Sequence, residues 1–228
     1  VPNANELLIK IKTKDGVEGF GMATSYTDIT PILKPFTNGL ADHIMGMNPY
    51  QPEEIYNKLF NLTDTRISNE KKWSRESLIR ISSAVDIACW DIIGKKAGLP
   101  LYQIFGGFRD KVPCYVTCAY YQDGKDNVQL KDEIQKLVAE GHQGFKGKVG
   151  GLSLEEDIKR MQIIRDVIGP DKDLMIDVNR AWDLKKAIQA CKLLEPLNPT
   201  WLEEPLRWAD DRRQTTLLAK QTSIPISG

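Results

Sequence analysis

Hydrophobic positions alternate with mostly polar ones at the start of the chain. Leu7, Ile9 and Ile11 interleave with Leu8, Lys10 and Lys12, and Asp15-Gly16 follows as a turn signal before "VEGFG". This predicts a β-hairpin. The spacing then lengthens to a helical period in "ITPILKPFTNGLADHIMG" and "QPEEIYNKLFNL". Between Asn61 and Trp73, "NLTDTRISNEKKW" has no apolar period, which predicts a mobile loop. A long amphipathic helix is predicted from Arg75 to Ala97, with Ile79, Ala84, Ile87, Ala88 and Ile92 among its apolar positions. Gly98 and Pro100 end it.

After "GGFRDKVPCY" the pattern changes to short apolar strands alternating with helices. "VPCYVTCAYY", "GFKGKVGG", "DLMIDVN", "TWLEEP" and "IPISG" read as strands. "LKDEIQKLVAEG", "SLEEDIKRMQIIRDVIG", "LKKAIQACKLLEP" and "DRRQTTLLAKQT" read as the helices between them. Ser153 with Glu156 three residues later is a capping box. Strands and helices at this spacing imply parallel βαβ units. The expected fold class is α/β: an α+β domain over residues 1–111, then a TIM-type (β/α) barrel over residues 112–228, incomplete at about five strands. A doubly wound sheet would want a glycine-rich first βα turn, and "YYQDGKDN" is not one; a P-loop is also missing.

Composition narrows the partners. Lys+Arg and Asp+Glu both number 31, so the formal net charge is zero. A balanced chain without a basic run argues against nucleic acid and against an electrostatic membrane anchor. No apolar run approaches the ~18 residues of a membrane span, and "VPNANELLIKIK" lacks the pattern of a signal peptide. Cys89 and Cys191 sit on apolar helical patterns and read as core thiols; Cys114 and Cys118 have strand spacing. With only His43 and His142 besides, a zinc site is not indicated. A reducing, cytoplasmic setting is expected.

Barrel active sites lie at the C-terminal ends of the strands. The second strand carries Lys146 and Lys148 there, the third Asp177 and Asn179, the fourth Glu203 and Glu204. Residues i and i+2 share a strand face. Lys146 therefore pairs with Lys148, Asp177 with Asn179, and only one of the two glutamates can join them. An isolated K-x-K is ordinarily a solvated edge, and D-x-N is common in turns. Their joint placement on successive strand ends points to chemistry. Two carboxylates and an amide oxygen suit a hard cation such as Mg²⁺. The two ammonium groups repel each other, which should lower one pKa toward neutrality and leave an amine able to accept a proton. A Schiff-base lysine at position 146 is the rival reading, but it leaves the neighbouring carboxylates unexplained.

At this point the chain resembles the enolase superfamily, in its mandelate racemase and muconate-lactonizing enzyme branch. "LLIKIKTKDGVEGFGMA" is similar to the hairpin opening that family's capping domain, and "AVDIACWDIIGKKAGLPLYQIFGG" to the helix leading into its barrel. "FKGKVG", "IDVNRAW" and "WLEEPL" match its K-x-K strand and two metal-ligand strands. The resemblance implies one Mg²⁺ bound by Asp177 and Glu203. It implies Lys148 as the base that takes an α-proton to give an enediolate. Lys146 would tune that base and contact the substrate carboxylate, and Asn179 would lie near metal or substrate. The capping loops around Met22–Ile29 and Asn61–Trp73 would reach the distal part of the substrate, with Arg66 the candidate contact there. The expected substrate is a small carboxylate, an acid sugar, because those loops are polar and charged. The expected reaction is its dehydration. Racemase, epimerase or cycloisomerase chemistry, or a catalytically silent scaffold, are the alternatives. A homo-oligomer is expected. In the family a third carboxylate ligand and a second acid/base follow the strand at "IPISG". The 228 residues are therefore expected to belong to a longer chain.

Overall fold

The computed structural model describes residues 5–228, apart from the side chains of residues 210 and 211. Val1–Ala4, part of the stretch read for a signal segment, lies outside the described residues. The chain forms two compact units, Pro2–Val112 and Pro113–Gly228.

The N-terminal unit opens with the hairpin. Strand β1 (Asn5–Lys12) pairs antiparallel with β2 (Glu18–Ser25), with Ile9 opposite Gly21 and Ile11 opposite Gly19. Gly16 supplies the left-handed residue of the turn (φ 89°). Helix α1 (Thr30–Thr37) follows, then a 3₁₀ turn at Ala41–His43 and helix α2 (Pro52–Asn61), which carries proline in its first turn, where no backbone donor is lost.

The Asn61–Trp73 stretch is ordered secondary structure rather than a mobile loop. Leu62–Asp64 form a 3₁₀ turn, and α3 (Arg66–Lys71) begins at Thr65, whose hydroxyl and Ser68 form a reciprocal capping box. Lys72 closes the helix in the left-handed region (φ 54°). Leu62, Ser68 and Trp73 are buried. The elements are too short to show a period, so caps and three buried residues define them instead.

Helix α4 (Arg75–Ala97) has the predicted bounds, with Ser74 accepting from the Ser77 amide and Gly98 left-handed (φ 64°) at its C-cap. Ala84, Ala88 and Ile92 are fully buried, but Ile79 and Ile87 are exposed and are not part of the buried face. The short α5 (Leu101–Ile104) ends the unit. Strand β2 lies directly on α4 through small residues. A Cβ added at Gly21 would sit 1.8 Å from the Ala84 carbonyl oxygen, and one at Gly19 would sit 2.1 Å from that of Ala88. Neither contact can be relieved by a rotamer. Gly21→Ala should therefore cost about 3 kcal/mol, the upper part of the usual overpacking range. Denaturant unfolding checks this, and a loss under about 1 kcal/mol would refute the close strand–helix approach.

The C-terminal unit is a parallel five-stranded sheet in sequential order, β3 (Val116–Cys118), β4 (Gly144–Lys148), β5 (Asp173–Asp177), β6 (Trp201–Glu203) and β7 (Ile226–Ser227). Helices α6 (Asn127–Ala139), α7 (Leu154–Ile168), α8 (Leu184–Leu194) and α9 (Asp211–Ala219) connect them. This is the αβ grammar of a partial TIM-type barrel. Asp126, Ser153 and Asp183 cap the starts of α6, α7 and α8. The ten-residue strand expected around "VPCYVTCAYY" shrinks to Val116–Cys118, because Ala119 turns left-handed (φ 56°) and ends it.

Strand alternation divides this sheet. Phe145, Leu174, Ile176 and Leu202 join one buried core with Leu130, Ile134, Met161, Ile164, Ala187 and Leu194 of the helices. Lys146, Lys148, Met175 and Asp177 alternate with them and take the other face. Cys89, Cys118 and Cys191 are buried free thiols, and Cys114 is exposed. Among the described residues no helix is long and apolar enough to cross a membrane.

Candidate active site

Register sets the site. Lys148 lies opposite Asp177, Asp177 opposite Glu203, and Glu203 opposite Ser227, in one row across the strand ends. Lys146 starts one pleat lower, opposite Met175, and its long side chain rises into the same row. Its Nζ donates to both Glu203 carboxylate oxygens at 2.9 Å and lies 3.5 Å from Asp177 Oδ2. Lys148 Nζ donates to Asp177 Oδ2 at 2.5 Å and to Asn179 Oδ1 at 2.9 Å. The Asn179 amide donates to Asp177 Oδ1 at 2.9 Å, so both oxygens of the nearly inaccessible Asp177 are engaged.

The backbone aims these groups. Asn179 (φ 48°), Arg180 (φ 65°) and Glu204 (φ 43°) are all left-handed, at the ends of β5 and β6. Asparagine tolerates that region, and here it turns its side chain back onto Lys148. The kink at Glu204 separates the two glutamates: Glu203 faces the lysines, whereas Glu204 pairs with Arg180 at 3.5 Å. Left-handed non-glycine residues cluster where structure is constrained by function.

Both lysines carry an aromatic neighbour that the sequence pattern did not single out. The Tyr115 ring lies 5.3 Å from Lys146 Nζ, and the Tyr120 ring lies 5.8 Å from Lys148 Nζ. Trp201 Nε1 donates to Glu203 Oε2 at 3.3 Å, and its ring meets Tyr115 edge-on. The signal available was position: Tyr115 and Tyr120 flank the first barrel strand, next to the K-x-K strand.

Mutual repulsion does not govern Lys146. Burial acts to lower its pKa, but the hydrogen bonds and charge of Glu203, with Asp177, outweigh that and raise it. Repulsion from Lys148 thus does not set the Lys146 pKa, because the Glu203 carboxylate is closer than the pattern of a single strand reveals. A raised lysine pKa contributes stability in full below the ordinary lysine value, and that stability is lost as alkaline pH passes the raised one.

Asp177 and Glu203 already converge on one positive charge, the Lys146 ammonium. Oxygen donors placed so on adjacent strands fit a hard divalent cation. Among the described residues no group of three or more His, Cys, Asp and Glu side chains could hold a metal ion. The donors at hand are two carboxylates and the Asn179 amide. Arg66 lies in the other unit, on α3, with a strongly exposed side chain that pairs with Glu70 at 2.6 Å.

Residues 1–106 match the family model for the mandelate racemase / muconate lactonizing enzyme N-terminal domain, and residues 129–228 match that for the enolase C-terminal domain-like family. The chain is 33% identical to an arabinonate dehydratase of Saccharolobus solfataricus, over 96% of this chain and 57% of that protein. It is 38% identical to a 3,6-anhydro-alpha-L-galactonate cycloisomerase of Streptomyces coelicolor, over 97% of this chain and 59% of that protein. A solved L-talarate dehydratase from Polaromonas sp. JS666, complexed with Mg and L-glucarate, superposes with a TM-score of 0.82 at 30% identity. That match covers 99% of this chain and 61% of the other. The chain thus spans little more than half the length of the curated relatives it matches.

Proposed function

Because the chain belongs to the mandelate racemase/muconate-lactonizing enzyme branch of the enolase superfamily, we propose that it carries the lysine side of a site that dehydrates a sugar acid. The observation that supports this reading is the convergence of Lys146, Lys148, Asp177 and Glu203 at three adjacent strand ends. Asp177 and Glu203 would hold a single Mg²⁺, with Asn179 beside it. The cation, when bound, would supply Lewis-acid polarisation of the substrate carboxylate.

The chain's own residues handle the proton abstraction. Lys148, in its neutral form, takes the proton from the carbon next to the carboxylate, and the electron pair left behind delocalises into that carboxylate. Lys146 contacts the carboxylate and offsets its growing negative charge. Asn179 orients Lys148 through its side-chain oxygen. The Tyr115 and Tyr120 rings border the two amines and limit water there. The C–O bond of the next carbon then breaks, its hydroxyl leaving as water with a proton from a general acid that none of Lys146, Lys148, Asp177 and Glu203 supplies, and the resulting enol becomes a keto acid.

The relative that acts as a cycloisomerase favours one second reading, proton abstraction followed by ring opening or closure without loss of water. Incubating the full-length protein with Mg²⁺ and a panel of acid sugars decides between them. Keto acid trapped by semicarbazide is expected. Isomerised acid without keto acid selects the second reading, and no conversion of any panel member overturns both.

A further inference from the structure

The turn that follows Lys148 is gripped more tightly than a surface turn requires. Asp157, on α7, is completely buried, and hydrogen bonds hold both of its carboxylate oxygens. Its Oδ2 accepts from the Gly150 amide at 2.7 Å, and its Oδ1 accepts from the Tyr121 hydroxyl at 2.5 Å. The Tyr121 oxygen in turn accepts from the Gly151 amide at 3.1 Å. Two successive backbone donors, two and three residues after Lys148, are thereby held by one carboxylate–phenol pair.

Packing closes the turn from both sides. A Cβ at Gly151 would lie 2.7 Å from the Tyr121 ring, and one at Gly150 (φ 98°) would lie 2.6 Å from Ala181 Cβ, two residues past Asn179. The pair is itself anchored. The Arg160 guanidinium lies 4.6 Å from the Tyr121 ring centre and donates to the Ala119 carbonyl at 2.7 Å. Ala119, buried and left-handed, donates its amide to Glu133 at 3.2 Å. Tyr120, between the pinned Ala119 and Tyr121, is the ring beside Lys148.

Burying a carboxylate and a guanidinium is costly, and apolar packing would join these elements at least as stably. The hydrogen bonds of Asp157 and Tyr121 offer something else, a single fixed geometry for the turn, although the buried Arg160 Nε has no partner of its own. We infer that Tyr121 and Asp157 are positioning residues for Lys148, acting through the Gly150–Gly151 turn. This rests on the reading of Lys148 as the proton acceptor. Supports of this outer kind typically change activity by about 10- to 100-fold.

Tyr121→Phe in the full-length protein removes only the hydroxyl. Acylation of Lys148 by a succinimidyl ester, read by peptide mass spectrometry against the exposed Lys10, should rise about threefold as the strand end loosens. On an acid sugar that the wild type converts, kcat should fall about tenfold with KM nearly unchanged. Asp157→Asn can still accept from Gly150 and should retain more activity than Asp157→Ala. An unchanged labelling ratio, or a raised ratio with kcat intact, overturns the inference and leaves a structural role alone. If the wild type converts no acid, the functional reading fails, and the labelling ratio still decides whether the pair positions Lys148.

Discussion

Replacing Lys148 with alanine in the full-length protein should lower turnover of any acid sugar that the wild type converts by roughly a thousandfold, the middle of the range for loss of a general base. KM should change little, since the base acts in the transition state. The fold should survive, because Asp177 keeps Lys146 at 3.5 Å as a counter-charge. Lys148→Arg separates the two possible roles of the side chain. Arginine can replace the charge that Lys148 presents to Asp177 and Asn179, but its guanidinium does not lose a proton in proteins. If proton transfer is the role, Arg is as inactive as Ala. Turnover of Lys148→Arg within about tenfold of wild type would mean that Lys148 supplies charge only.

Asp177→Asn should have the second largest effect, and on two independent readouts. Asparagine keeps an oxygen for the Asn179 amide but removes the negative charge that both lysines share. Breaking a buried ion pair from one side costs about 3–5 kcal/mol where the remaining charge is fully enclosed. Here Lys146 retains Glu203, and both ammonium groups are slightly exposed. The expected loss is therefore about 2–3 kcal/mol in metal-free denaturant unfolding. Mg²⁺ affinity, measured by calorimetry, should fall by on the order of a hundredfold or more, since a direct ligand matters at least as much as an outer one. Unchanged affinity would remove Asp177 from the metal site.

The elements with many repeats of one period were legible. Helix α4 has its predicted ends because a serine cap, three turns of buried small residues and a left-handed glycine all agree. The i, i+2 rule put Lys146 with Lys148, and Asp177 with Asn179, on shared faces, and the hydrogen bonds bear that out. What stayed hidden depends on contacts between segments. The pattern around Asn61–Trp73 is too short for periodicity, and its order comes from Thr65 capping and the burial of Trp73. Repulsion between Lys146 and Lys148 could be inferred from one strand. The Glu203 carboxylate that reverses its effect on Lys146 sits 57 residues away, and only register reveals it. Asp157 is one acid in a helical "EED" run, and nothing local marks it as fully buried.

Proton wash-out reads the action of Lys148 on the substrate itself. The full-length protein, Mg²⁺ and a converted acid sugar are placed in D₂O, and the ¹H signal of the carbon next to the carboxylate is followed by NMR in substrate and product. This proton should leave the carbon with wild type at the rate of turnover or faster, and stay in place with Lys148→Ala. Product formed by wild type with the original proton still at that carbon would contradict proton abstraction by Lys148. So would equal wash-out by wild type and Lys148→Ala.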